Sequence, residues 1–230
     1  SMGITQYLAM TEQELSAGPP PPDLAYLGCC FSESGLAGLP QSLPPGALLI
    51  LDDRIPPGDR PIPEIAEALG NVLTRFSCRG LLLDFERPGI APQKALAAFL
   101  ARNLSCPVAA PPEYAPENAP VFLPPVPVDC VVEDHLAPWQ GREIWLDTGL
   151  CGLDLTLTPA GAVCSPAAVP PLQGFYDEAL CCRYTIRETP QGFLFRLGRN
   201  RACLQKLLTR AEPLGVTLSV GLWQELSSLG

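Results

Sequence analysis

Short runs of apolar residues, broken by proline and glycine, recur along the whole chain. Several runs are almost continuously hydrophobic, which is typical of parallel strands that are buried on both faces of a sheet. The pattern predicts eight strands, at Ile4–Met10, Ala25–Phe31, Leu48–Asp52, Gly80–Phe85, Pro107–Ala110, Val121–Leu123, Ile144–Asp147 and Thr217–Leu222. Eight is the number of parallel strands that closes a (β/α)8 barrel.

Helical periodicity is clear in only three places, at Pro63–Phe76, Pro92–Leu104 and Asn200–Leu208, the last of which continues toward Glu212. Proline in the first turn is a normal start for a helix. The other connections are short and rich in proline, such as Pro111–Pro116, and we expect them to cross over as loops or single turns. The pattern therefore predicts a compact α/β fold, a (β/α)8 TIM-type barrel with several reduced helices, and an open α/β sheet is the alternative.

The hydrophobic period changes within residues 151–197. Apolar and polar residues alternate there in the segments Leu153–Thr158, Cys182–Arg187 and Phe193–Leu197. Alternating segments that flank turn residues predict β-hairpins. We interpret this region as a small antiparallel insertion within a single domain that spans residues 1–230.

Two carboxylates, Asp84 and Glu86, lie at the carboxyl end of the strand Gly80–Phe85, and they carry the strongest chemical signal in the chain. Asp84 and Glu86 are two residues apart, so in an extended chain their side chains project to the same face, together with Leu82. Parallel barrels present their catalytic groups at the carboxyl ends of the strands. The simpler interpretation is a surface Asp and Glu in the loop after a core strand, and this motif alone does not separate the two.

The segment around these acids resembles the family-18 glycoside hydrolases, which are chitinase-like barrels with the signature D-G-x-D-x-D-x-E on the fourth strand. The aligned segment retains the glycine, the last aspartate and the glutamate, and it has Arg79 and Leu82 in place of the first two acids. The end of the chain is also similar to that family, with a hairpin, a helix and then Gly215–Trp223. Trp223 falls where members carry a tryptophan that floors the sugar site.

The resemblance implies a substrate-assisted reaction, in which the N-acetyl group of the sugar is the nucleophile. It implies a glycoside hydrolase-like protein that acts on N-acetylhexosamine-containing glycans, with Glu86 as general acid and Asp84 as stabiliser of the substrate N-acetyl group. However, Leu82 cannot form the hydrogen bond of the middle aspartate, and no tyrosine matches the usual partner on the sixth strand. The alternative is therefore a catalytically inactive carbohydrate-binding barrel of the same family, and a scaffold without a ligand is a third class.

Other polar residues follow the predicted strands. Tyr114 follows the fifth strand and Asp129 the sixth, and both are candidates for substrate binding, although their settings also suit plain surface loops. Asp147 ends the seventh strand and is a second candidate carboxylate. Asp52 and Asp53 end the third strand, where turn chemistry explains them more simply.

The amino-acid composition argues against several classes of binding partner. A net charge of −9 and a pI near 4.6 argue against nucleic acid and against an anionic membrane surface, and no run reaches the roughly 20 apolar residues of a membrane span. His135 is the only histidine and no glycine-rich nucleotide motif is present, so we expect neither a metal nor a cofactor. The expected partner is a carbohydrate, and the sequence does not define the oligomeric state.

The ten cysteines include no C-x-x-C pair, and most lie in apolar runs. We therefore expect reduced thiols that pack as small hydrophobic groups. If Met2 is the native start, no signal peptide precedes the domain, and the expected location is cytoplasmic.

Overall fold

The computed structural model describes residues 3–88, 91–150, 152–167 and 173–227. The strands in these residues are β1 (Thr5–Met10), β2 (Leu24–Ser32), β3 (Gly35–Ala37), β4 (Leu48–Asp52), β5 (Gly80–Asp84), β6 (Val108–Ala109), β7 (Val121–Leu123), β8 (Ile144–Asp147), β9 (Gly152–Thr158), β10 (Gly161–Ala167), β11 (Phe175–Asp177), β12 (Cys182–Thr189), β13 (Gly192–Gly198) and β14 (Val216–Leu222). The helices are α1 (Glu12–Ser16), α2 (Ile62–Arg75), α3 (Ala91–Asn103), α4 (Val132–Leu136), α5 (Arg201–Ala211) and α6 (Trp223–Leu226). Single turns of 3-10 helix follow α4 and α5.

Eight parallel strands form one barrel. They follow each other around it in chain order, as β1, β2, β4, β5, β6, β7, β8 and β14, and β14 returns to pair with β1. β6 and β7 share the shortest strand pairing in the barrel, a parallel bridge between Ala110 and Val121. There the N–H of Phe122 donates to the carbonyl oxygen of Ala110 at 2.8 Å. The predicted barrel is confirmed, and the alternative of an open sheet is wrong.

Apolar residues fill both sides of the barrel wall. In β5, Leu82 joins a cluster inside the barrel, whereas Leu81 and Leu83 pack outward against α2 and α3. This alternation follows from the two-residue period of a strand, and it explains why the run is hydrophobic throughout. Trp145 on β8 is the largest side chain of the inner cluster and is 2% exposed. The interior of the barrel is thus packed with side chains.

The helical layer is incomplete, as the sequence predicts. Within the described ranges, β4 and β5 are the only barrel strands followed by long helices, and α5 precedes β14. The connection from β6 to β7 contains no helix in the described residues, and its proline-rich segment crosses over as turns. Proline has no N–H to donate and holds its φ angle fixed, so such a segment does not continue as a helix. No helix in the described ranges is long and apolar enough to cross a membrane.

The insertion forms a separate antiparallel sheet between β8 and α5, with the strand order β10, β9, β13, β12 and β11. The two predicted hairpins are its β9–β10 and β12–β13 pairs. The base of the sheet packs on the barrel through Cys182 and Leu197, which contact Val128. The nine cysteines in the described residues are free thiols.

Candidate functional site

A cleft of about 240 Å³ opens at the carboxyl ends of the barrel strands. Four carboxylates line it: Asp84 at the end of β5, Glu86 two residues later, Asp147 at the end of β8, and Glu225 in α6. None of the lining residues within the described ranges carries a positive charge. The structure therefore brings the two acids of the predicted signature into one strongly acidic site.

The floor of the cleft is apolar. Leu82, Ile50 and Val220 lie beneath the acids and belong to the inner core of the barrel, and Leu82 is only 1% exposed. Phe122 on β7, the sixth strand of the barrel, lines the cleft as well. Leu82, which stands in place of the middle acid of the signature, and Phe122 thus give the cleft an apolar lining on this side.

Asp53 fixes the loop that carries Glu86. Its buried carboxylate accepts hydrogen bonds from the backbone N–H of Glu86 at 2.9 Å and of Arg87 at 3.2 Å. In return, the Arg87 guanidinium donates to the carbonyl oxygens of Asp53 at 2.8 Å and of Arg54 at 2.7 Å. Because backbone groups on both sides are satisfied, the acid is presented from a well-defined loop.

Tyr114 does not line the cleft among the described residues, so the prediction that it contacts substrate is not supported. It is 4% exposed and lies in the cluster outside the barrel wall, where its ring meets Phe85 edge-to-face with 5.5 Å between centroids. Its hydroxyl donates to the carbonyl oxygen of Arg87. Tyr114 therefore supports the loop of Glu86 from behind, because it follows β6 on the helix side of the wall.

Asp84 is protonated more readily than an exposed aspartate. Burial raises its pKa to about 6, and the neighbouring negative charges of Glu86 and Asp147 add to the rise. Both effects disfavour the ionised form, the first by desolvation and the second by repulsion. Asp84 therefore changes its charge close to neutral pH, as catalytic carboxyl groups commonly do.

Asp147 shares this behaviour. Its pKa is raised to about 6, chiefly by burial and to a smaller extent by the charge of Glu225, whereas a hydrogen bond from the backbone N–H of Gly149 opposes the rise. That bond is 2.7 Å long, and Glu225 accepts an equally short one from the N–H of Leu150. The loop after β8 thus fixes both carboxylates at the rim of the cleft.

Trp223 follows the last barrel strand, and its contact with a sugar stays a prediction. It begins α6, is 37% exposed, and is not among the described residues that line the cleft. Leu218, Val220 and Leu222 alternate along β14, and the last two line the cleft. Because side chains on a strand alternate between faces, Leu222 takes the inward position and Trp223 follows it out of register.

The remaining predicted residues lie in turns. Asp129 is exposed in the turn before α4 and lies outside the cleft lining in the described chain, so its predicted role in binding is not supported. Asp52 pairs with Arg54 at 3.0 Å and accepts from its backbone N–H at 3.1 Å, which is the turn chemistry that the sequence favours. In the described residues, no group of three or more histidine, cysteine or acidic side chains is arranged to hold a metal ion.

The sequence pattern indicates Asp147 only weakly as a cleft residue, and it does not indicate Glu225. Asp147 ends a predicted strand, so its position at the carboxyl edge was available as a clue. Glu225 lies beyond the last strand, in a helix of four residues that no pattern predicts. Their membership in the site depends on the pairing of β8 with its neighbour β14, which brings the ends of the two strands together.

No protein-family model and no curated protein sequence matches this chain. Solved structures do match its fold. The chain is similar to a chitinase from Chromobacterium violaceum, with 12% identity, a TM-score of 0.55, and coverage of 96% of this chain and 95% of that chain. It is also similar to a mutant of a GH18 chitinase from Cycas revoluta, solved in complex with (GlcNAc)4, with 12% identity, a TM-score of 0.57, and coverage of 98% and 97%.

A third similar structure is the spore cortex-lytic enzyme SleL of Bacillus cereus, with 11% identity and a TM-score of 0.55, covering 99% of this chain and 72% of that chain. Identities of this size establish similarity of fold. The chain therefore has the barrel fold of these GH18 chitinase-like structures, and the predicted resemblance is confirmed as a resemblance of fold.

Proposed function

We propose that this chain is a glycoside hydrolase-like protein that acts on N-acetylhexosamine-containing glycans, with Glu86 as general acid and Asp84 as stabiliser of the substrate N-acetyl group. The observation that carries the proposal is that both acids line one cleft at the carboxyl ends of the barrel strands. A fold shared with a chitinase solved in complex with (GlcNAc)4 supports the choice of sugar.

The geometry suits this division of labour. Glu86 is exposed at the mouth, where a glycosidic oxygen is able to approach it, whereas Asp84 lies deeper, next to the apolar floor. Above pH 6 the Asp84 carboxylate is mostly ionised and accepts the N–H of an N-acetyl group, which becomes positively charged as it attacks the anomeric carbon. A fixed charge in a site with few waters stabilises such a developing charge more strongly than water does.

A second candidate is a binding barrel without catalysis, and a specific observation favours it. Leu82 stands in place of the middle acid of the signature and no tyrosine is among the described residues that line the cleft, so part of the polar network that the family uses around the N-acetyl group is missing. An apolar floor and an aromatic ring still suit the apolar face of a sugar ring. The hydrolase and the binding barrel would bind the same glycan, and only the hydrolase would cleave it.

The decisive experiment compares hydrolysis of chromogenic N-acetylglucosamine oligomers by the wild type and by Glu86→Gln. Loss of the general acid should lower kcat about 10²- to 10⁴-fold, because Gln keeps the shape of Glu but has no proton to transfer. Glu117→Gln is the matched control, since Glu117 is exposed and outside the cleft lining. Equal turnover by wild type and Glu86→Gln would exclude Glu86 as the acid.

Calorimetric titration with (GlcNAc)4 separates the two candidates. Binding by the wild type without turnover, weakened by Phe122→Ala, would support the binding barrel and refute the hydrolase. Turnover that is lost in Glu86→Gln while affinity is retained would support the hydrolase. Absence of both binding and turnover would refute both.

A further inference from the structure

The antiparallel sheet of the insertion has two unlike sides. Because side chains alternate along a strand, the register of the paired strands brings large apolar side chains together on one side. This apolar face carries Leu155, Leu157, Phe175, Ile186, Phe193 and Phe195. The opposite, polar face carries Thr156, Arg187 and an ion pair between Asp154 and Arg196 at 3.4 Å. Such alternation is typical of a sheet with water on one side and an apolar layer on the other.

The barrel covers the base of the apolar face, where Cys182 and Leu197 pack on Val128. The outer part of the face is open to solvent. Eight large hydrophobic side chains in the described residues are exposed, and half of them lie here, namely Leu157 (39%), Ile186 (45%), Phe193 (49%) and Phe175 (61%). Exposed apolar side chains that are gathered in one patch, rather than scattered singly, mark an interaction surface.

We propose that the apolar face binds the same face of a second copy of this chain, in a two-fold symmetric dimer with the two sheets stacked on each other. A two-fold contact uses one patch twice, so each apolar face supplies the apolar layer that the other lacks. Sheets packed in this way lie about 10 Å apart with interdigitating side chains.

The size of the face suits a weak dimer. At about 3.4 Å per residue and about 4.8 Å between strands, the five strands of the sheet cover roughly 500 Å² in each copy. Two apposed faces therefore bury on the order of 1,000 Å², which is the lower end of the range for specific interfaces. We expect a dimer that forms at micromolar concentrations.

Charge opposes this contact little, although the chain as a whole carries a net charge of −9. Residues 152–198 contain four acidic and three basic residues, so the insertion itself is nearly neutral. Two of the acids lie on the apolar face, at its ends. Glu188 pairs with Phe193 beside the hairpin turn, and Asp177 at the base accepts from the N–H of Leu180 at 2.8 Å. Association through the sheet thus keeps the two acidic barrels apart.

A glycan fits the apolar face less well than a second copy does. The hydroxyl groups of a sugar need new hydrogen-bond partners when they leave water. Apart from the two carboxylates at the ends, the described strands place one hydrogen-bonding oxygen of a side chain on this face, the hydroxyl of Tyr184. The leucine, isoleucine and phenylalanine side chains match the same side chains of another copy.

Sedimentation velocity at concentrations from about 1 to about 500 µM tests the dimer. The wild type should shift from monomer to dimer. Phe193→Glu should weaken association about tenfold or more, because each contact would then bury two unpaired charges. Val163→Glu is the matched control, since Val163 is apolar, 66% exposed and on the polar face. A wild type that stays monomeric, equal association by Phe193→Glu, or equal weakening in the control would overturn the proposal.

The Cys164 thiol reports on the apolar face of the wild type without any substitution. It is exposed and lies beside Leu155 on that face. Its alkylation by iodoacetamide, followed by peptide mass spectrometry, should slow severalfold as the protein concentration rises. Ser165→Cys in a Cys164→Ser background places the thiol on the polar face of the same strand, and its rate should not change.

Equal rates for Cys164 at all concentrations would contradict the stacked dimer. Pairing along the β10 edge would leave both faces open, so a dimer that protects neither thiol would place the contact at that edge and refute the apolar face. Protection of Cys164 by (GlcNAc)4 in a protein that stays monomeric would assign the face to a glycan and likewise refute the dimer.

Discussion

Burial sets the ionisation of two aspartates at the mouth of the barrel. The pKa values of Asp84 and Asp147 are both raised to about 6, chiefly because the protein excludes water from them. Each group binds its proton more tightly in the folded protein than in the unfolded chain. The free energy of unfolding therefore falls as pH rises from about 4 through about 6, so the charges of the cleft are held at a cost in stability.

The first prediction follows from this linkage. Asp147→Asn should raise the free energy of unfolding at pH 7 by about 1–2 kcal/mol, because a neutral amide avoids the cost of a partly buried charge. At pH 4 the aspartate is itself neutral in the folded protein, and the gain should disappear. Thermal unfolding at both pH values checks this, with Asp59→Asn as control. A lower melting temperature for Asp147→Asn at pH 7 would contradict it.

At the scale of elements, the loop after β5 is anchored by two side chains that are not among the described residues that line the cleft. The Asp53 carboxylate holds the N–H groups of Glu86 and Arg87, and the Tyr114 hydroxyl holds the carbonyl oxygen of Arg87. Asp53 directly after β4 and Tyr114 in the proline-rich crossover after β6 thus hold the loop that carries the proposed general acid. Positioning of this kind affects turnover more than binding.

The second prediction concerns this support. Asp53→Ala leaves two backbone N–H groups without their acceptor, which should lower the free energy of unfolding by about 1–3 kcal/mol. Hydrolysis should fall more than the affinity for (GlcNAc)4, because the Glu86 loop is displaced while the cleft floor is intact. Asp53→Asn retains one acceptor oxygen and should recover part of both losses. Unchanged kcat in a folded Asp53→Ala protein would show that the loop needs no such anchor.

At the scale of the whole molecule, the antiparallel sheet is attached to the barrel at one end. Gly152 and Gly198 lie opposite each other where β9 and β13 leave the barrel. Arg199 follows directly and links the barrel loop at Val126 to the insertion at Cys181. None of the described residues of the sheet belongs to the inner barrel cluster.

The third prediction is that the barrel folds without this sheet. Directly opposed strand residues are only about 4.5–5.5 Å apart, so a short Gly-Ser turn is able to join Gly152 to Gly198 in place of the residues between them. Far-UV circular dichroism should retain helical signal and unfolding should remain cooperative. The melting temperature should fall, because Arg199 loses its acceptors at Leu180 and Cys181. The control carries the same linker inserted at the hairpin tip between Pro190 and Gln191, and a deletion variant without a cooperative transition would contradict the prediction.

The sequence by itself determined the strands, because each is a local apolar run that needs no distant partner to be recognised. The predicted limits of the eight barrel strands differ from the observed ones by at most one residue. Local alternation identified the hairpins, and the two-residue spacing of Asp84 and Glu86 placed both in one cleft. These properties depend on separations of only a few residues, which the chain order itself specifies.

Only the tertiary structure decided which other residues meet those acids. Closure at the single bridge between Ala110 and Val121 excluded the open sheet, and it rests on a contact that no local period encodes. The end of β14 puts Leu222 in the cleft lining, and Trp223, which begins α6, is not among the described residues that line the cleft. Asp147 joined Asp84 because β5 and β8 belong to the same closed barrel. Side-chain direction at a strand end and proximity across a barrel depend on packing between distant segments, so they follow from the folded chain alone.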